Sequence, residues 1–178
     1  SNRGGDLGIW SQPIGGTDAE RLTTAGQGEE HVPESWAADG TLLYSITSKG
    51  QSTLWTVPAR NGKPGKPARF GNQVSRDPMS AVLSHNGKFV AYTRTDDREV
   101  TICIENFPSQ FKTQCLQPKL ADSPKHPRWS PDDTRIFFDP RIPDFASVEV
   151  RLRELEFGEP RPVAYHPIMM APPGARTP

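Results

Sequence analysis

The sequence predicts an all-β chain built from repeated, four-stranded antiparallel sheets, and three observations carry that prediction. The first is a repeat. The stretches Pro33–Ile46, Ser80–Thr93 and His126–Phe138 share one layout: an anchor residue, a tight polar turn and an apolar run. The anchors Trp36, Leu83 and Trp129 stand 47 and 46 residues apart, and the turn residue follows three positions later as Asp39, Asn86 and Asp132. A fixed period in the forties is the mark of a solenoid or propeller array. The second observation is composition. Nineteen prolines and 15 glycines in 178 residues suit short strands joined by turns, and stay below the level of disorder. The third is apolarity on both faces of a strand. Phe89-Val90-Ala91-Tyr92 and Ile136-Phe137-Phe138 do not alternate as a strand with one wet face would. They read as strands sandwiched between like sheets.

Taken in order, Gly8–Thr24 reads as a hairpin: Ile9–Ile14 alternates, Gly15-Gly16-Thr17-Asp18 turns and Glu20–Thr23 returns. The same unit recurs as Thr53–Phe70, with Asn61-Gly62 in the turn and Trp55 in the place of Trp10. It recurs again as Val100–Leu116, where Cys103 replaces that tryptophan, and in divergent form as Val148–Val163. The returning strands end in Leu22, Phe70, Leu116 and Val163. Val150–Phe157 is the one stretch with some helical spacing, through Val150, Leu152 and Leu155, but the repeat demands a strand there. Each period thus holds four strands, the content of a propeller blade. The expected division is a tail hairpin at 1–26, blades at 27–72, 73–120 and 121–163, and at 164–178 the start of a further element or a proline-rich tail. A closed ring takes at least four blades, so three blades and a part-blade are expected to be a piece of a longer propeller. Its open ends are expected to self-associate, with Trp10 and Ile168–Met170 near the contacts.

Trp129-Ser130-Pro131-Asp132-Asp133 followed by Ile136-Phe137-Phe138 resembles the WSPDG…IAF core of the TolB-like, WD40-like (PD40) β-propeller repeat. His31–Gly40 is a second copy with Ala37-Ala38 in place of Ser-Pro, and Leu83–Gly87 a third that lacks the tryptophan. The resemblance runs from residue 8 to about 163. It implies a periplasmic TolB-type protein, or a sensor or interaction domain attached to a bacterial serine/threonine kinase or transcriptional regulator. The unit ending in Glu159-Pro160-Arg161-Pro162 most resembles the kinase- or regulator-attached kind. The other context it implies is the substrate-gating propeller of a prolyl-oligopeptidase-like peptidase. The implied location is periplasmic or otherwise extracytoplasmic, with the cytoplasm as the alternative.

Charge adds an exclusion. Twenty-one basic and 21 acidic residues balance, so nothing in the charge suggests nucleic acid or an anionic membrane as partner, and no apolar run is long enough to span a bilayer. No G-x-S-x-G, H-E-x-x-H or P-loop pattern is present, so a non-catalytic binding domain without cofactor or metal is expected. Asp39-Gly40, Asn86-Gly87 and Asp132-Asp133 read as hairpin turns rather than cation sites. The tryptophans read as packing between blades rather than stacking on a ligand. The basic loop Arg60, Lys63, Lys66 and Arg69 reads as a solvated outer hairpin.

Two sets of residues remain as candidates. His31, Arg76, Asp77, Lys125, His126 and Arg128 precede or open the first strands of successive blades. In that position they either rim the mouth of the central channel, where a protein or small ligand would bind, or are solvated loop residues. Cys103 and Cys115 lie on two arms of one hairpin. They form a disulfide if they face each other in the non-hydrogen-bonded register, and are two buried thiols otherwise.

Overall fold

A computed structural model of the chain describes residues 4–60, 63–97, 99–109, 112–116, 124–141 and 144–163, and every element among them is a β-strand. A short hairpin, β1 (Trp10–Ser11) with β2 (Glu20–Arg21), comes first. Three antiparallel sheets follow. Blade one consists of β3 (Glu29–Trp36), β4 (Thr41–Ser48) and β5 (Gln51–Arg60), with β7 (Ala68–Ser75) on the outer edge and β6 (Lys63–Pro64) extending the far end of β5. Blade two runs β8 (Val82–Leu83), β9 (Phe89–Thr95), β10 (Val100–Asn106), β11 (Thr113–Cys115). Blade three runs β12 (Lys125–Trp129), β13 (Arg135–Arg141) and β14 (Asp144–Arg151), with β15 (Glu156–Phe157) and β16 (Arg161–Val163) both paired to β14. The expected turn Asn61-Gly62 and the Ile168–Met170 run lie outside the described residues.

The repeat is visible in the turn chemistry between the first two strands of each blade. Asp39, Asn86 and Asp132 each accept a hydrogen bond from the backbone N–H two residues on, at 2.9, 2.9 and 3.2 Å. The hydroxyls of Ser130 and then Thr134 hold the Asp132 carboxyl down at about 2. The next residue in each turn is left-handed: Gly40 at φ 84°, Gly87 at 67° and Asp133 at 57°. Glycine enters this region freely, whereas aspartate does so against a steric cost. Asp133 offsets that cost by reaching the neighbouring blade. Its buried carboxylate accepts the N–H groups of His85 at 2.7 Å and Asn86 at 2.8 Å, so one turn is clamped onto the previous one. At the junction of blades one and two, Glu34 and Ser35 do this work, accepting the N–H groups of Ala81 (2.9 Å) and Leu83 (3.2 Å).

Apolar layers fill the spaces between sheets. Ile9 and Leu22 of the hairpin meet Leu42, Tyr44 and Val57 of blade one. Leu43, Leu54 and Phe70 meet Met79, Val90, Tyr92 and Phe107 of blade two. Ala91, Ile102 and Ile104 meet Trp129, Ile136, Phe138 and Val148 of blade three. Consecutive residues of a strand face opposite ways, so Leu42 and Leu43, or Val90 and Ala91, are buried against different neighbours.

Two expectations are corrected at the ends of the array. Trp129 is 7% exposed and donates its indole N–H to the Val82 carbonyl of the preceding blade, at 3.1 Å. Trp36, at the equivalent position, is 50% exposed. In front of blade one stands only the hairpin β1–β2, with no described counterpart of β8 and β9 to cover the indole. Likewise Phe137 is 37% exposed, not sandwiched, because among the described residues β13 has a neighbour on the Ile136 and Phe138 side alone. Phe145 and Val163, paired across β14 and β16, are exposed too.

Cys103 and Cys115 are direct register partners with Cα atoms 4.0 Å apart and are joined in a disulfide. They occupy a closely spaced antiparallel pair, flanked by the hydrogen bond from Leu116 N–H to the Ile102 carbonyl.

The contrast between the two tryptophans gives an expected outcome. Trp129→Ala should destabilise the fold by about 3–5 kcal/mol, the range for an aromatic removed from a core. Trp36→Ala should cost under about 1 kcal/mol, because its environment is already half water. Denaturant unfolding of both variants checks the pair, and equal losses would contradict the burial difference.

Candidate binding surface at one end of the blades

The first strands β3, β8 and β12 stand side by side, tied by the bonds of Glu34, Ser35 and the Trp129 indole. Antiparallel pairing fixes which loops share an end. Glu29 at the start of β3 pairs with Ser48, Ser48 with Gln51, and Ser52 with Ser75 at the end of β7. The connections between blades and the turns between second and third strands therefore gather at one end. Of the candidate rim residues, Arg76, Asp77, Lys125 and His126 lie there.

Not all of them converge. Asp77, after β7, reaches across to blade three: its Oδ2 lies 3.3 Å from the Lys125 ammonium and accepts the Thr95 hydroxyl at 3.3 Å. Arg76, just after β7 of blade one, instead pairs with Asp97, just after β9 of blade two. His126, left-handed at φ 54° in a register shift of β12, bonds Asp139 on β13 at 3.0 Å. Arg128 is exposed and caps the Pro127 carbonyl at 2.9 Å. His31 is not on the rim at all. It is buried between hairpin and blade one, with Nδ1 2.9 Å from the Thr23 hydroxyl and Nε2 3.6 Å from Glu29. Burial lowers the imidazole pKa against the opposing pull of Glu29.

Two carboxylates that sequence reasoning passed over lie at the junctions between blades, Glu34 half-buried and Glu105 buried. Burial raises the pKa of Glu34, opposed by its bond from Ala81 and by the charge of Arg128 on blade three. Three blades thus act on one carboxylate beside the first strands. Glu105 is buried on β10, where burial raises its pKa and the Tyr92 hydroxyl donates to it at 3.2 Å. Across the junction is Gly71, φ 67°, where a Cβ would lie 3.3 Å from both carboxylate oxygens. The only sequence sign of Glu105 is a lone charge closing the apolar run Ile102-Cys103-Ile104.

This arrangement defines a β-propeller segment: repeated four-stranded sheets packed face to face with their first strands together. Solved structures bear out the class. A TolB from Acinetobacter baumannii matches with a TM-score of 0.58 at 17% identity, over 79% of this chain and 34% of its own. A putative TolB from Agrobacterium tumefaciens matches with a TM-score of 0.65 at 12% identity, over 90% and 57%. A nidogen/laminin complex matches at 0.58 and 11%, over 82% and 52%. The chain therefore has the fold of TolB-like propellers and spans between a third and three-fifths of the length of these relatives. No family description and no curated protein matches it by sequence.

The raised pKa of Glu105 sets a sign for stability against pH. A carboxyl whose folded pKa lies above its unfolded value binds more protons when folded, so its contribution is full below the ordinary value of 4.5 and is lost as pH rises. Glu105→Gln keeps an acceptor for Tyr92 and removes that loss. The melting temperature of the variant should exceed the parent's by a margin that grows from about pH 4 to about pH 8 and vanishes in acid. A constant difference across that range would deny the buried charge.

Proposed function

We propose that this propeller segment is a non-catalytic binding domain, the sensor or scaffold part of a larger bacterial protein working outside the cytoplasm. The observation that carries the reading is the pair of open blade faces. One displays Trp36, and the other displays Phe137 and Val163. Large apolar side chains left at the ends of an array are docking surfaces, and an indole with one face in water is the residue type most enriched at binding hot spots. The disulfide supports an oxidising compartment. The partner of these faces is another β-sheet, and for this chain in isolation it is a second copy.

Light scattering on dilute protein should report a dimer or larger species. Trp36→Ser and Phe137→Ser should each shift it towards monomer without changing the circular dichroism spectrum. A well-folded monomer, or association indifferent to both substitutions, would refute the role given to these faces.

A further inference from the structure

The disulfide between Cys103 and Cys115 ties β10 to β11, the outermost strand of blade two. The repeat does not require a crosslink there. Cys103 stands opposite Tyr92 of the second strand, as Trp55 stands opposite Tyr44 and Ala146 opposite Phe138. On the outer strands their partners are Cys115, Arg69 and Pro162. In blade three β16 holds with three residues, as many as β11 has, and with no covalent bond. The two cysteines also differ in reach. Cys103 is fully buried in the junction between blades one and two, whereas Cys115 is half-buried on an edge strand.

Two residues from the bridge, on the same face of the sheet, Glu105 stands opposite Thr113 of β11. Its carboxylate is buried, and the groups that face it are the Tyr92 hydroxyl of β9 at 3.2 Å, the Thr113 hydroxyl and the backbone at Gly71 of β7. None of these is a cation. A buried carboxylate without a counter-charge gains by reaching water, and β11 lies beside it at the open edge of the sheet.

We propose that the Cys103–Cys115 disulfide is a thiol-responsive clasp: a dithiol reduces it in the folded protein, and β11 then parts from β10 and opens Glu105 to water. The inference goes beyond the blade faces and uses none of their residues. A thiolate of the reductant attacks the Cys115 sulfur, the S–S bond breaks, and Cys103 leaves with the electron pair and takes up a proton. The second thiolate of the reductant then attacks the mixed disulfide and frees Cys115. Two electrons and two protons pass to the chain, and the dithiol becomes a disulfide. A monothiol fails at the second step, because Cys103, held in register opposite Cys115, attacks the mixed disulfide and restores the bridge. Once reduced, β11 keeps three ladder pairs, and Leu116 remains as a hinge through its buried side chain and its N–H bond to the Ile102 carbonyl at 2.8 Å. Hydration of Glu105 favours the open strand against so short a ladder.

The test treats the whole chain, under native conditions, with dithiothreitol or with glutathione at matched thiol concentration. Free thiols are counted by alkylation and mass, and amide hydrogen exchange is followed along the chain. Dithiothreitol should free both thiols while the circular dichroism spectrum stays that of the folded protein, and glutathione should free neither. In the reduced chain the amides of residues 112–116 should exchange about a hundredfold faster, the constraint that a short disulfide loop withholds. The amides of blades one and three should keep their protection. Glu105→Gln should be reduced equally well but regain most of the protection of β11. Should that variant misfold, Cys115→Ser serves instead, since it should show the fast exchange without any reductant. A bridge that resists dithiothreitol until the chain is denatured overturns the proposal. So does reduction that unfolds every blade together, or that leaves the exchange of residues 112–116 unchanged. Self-association enters none of these readouts, so the two readings fail separately.

Discussion

Everything in this chain depends on sheet packing against sheet on both sides of the second strand. Leu42 and Leu43 are adjacent on β4, point to opposite faces, and are both fully buried. The same holds for Val90, Ala91 and Tyr92 on β9. No single sheet can do this, because one of its faces would meet water. A blade is therefore not a unit that stands alone. It borrows half its core from each neighbour, and the array is stable only as an array.

Hydrophobic burial is without direction, so it does not by itself set how one blade sits on the next. Polar ties do that. Asp133 accepts two consecutive N–H groups of the neighbouring turn, and Glu34 and Ser35 accept two from β8. Each tie satisfies a backbone donor that the junction would otherwise bury, which is why these side chains sit where a misfit costs most. The left-handed conformation of Asp133 makes sense only in this light. Its backbone follows the glycine pattern of the repeat while its side chain does what glycine cannot.

The same logic explains the two ends. A face built to be covered stays apolar whether or not a neighbour is present, and among the described residues Trp36 and Phe137 mark the faces that no other sheet covers. The hairpin β1–β2 covers the outer part of blade one. Candidate binding functions thus gather where the repetition is interrupted, not where it is regular.

The sequence by itself determined the repeat. Turn residues at Asp39, Asn86 and Asp132, the apolar second strands and the returning hairpins are local features, and local chemistry writes them in plain view. The facing of Cys103 and Cys115 followed from hairpin pairing, though only the register chose the disulfide over two thiols. What the tertiary structure alone decided is everything that crosses between blades. Trp36 and Trp129 are equivalent in sequence, yet one is half in water and the other is sealed, since burial depends on a neighbour 47 residues away. His31 left the rim for the interior, and Asp77, after the last strand of blade one, found Lys125 of blade three. Glu34, Glu105 and Asp133 looked like ordinary surface charges because desolvation is a property of the assembled junction. No spacing along the chain records it.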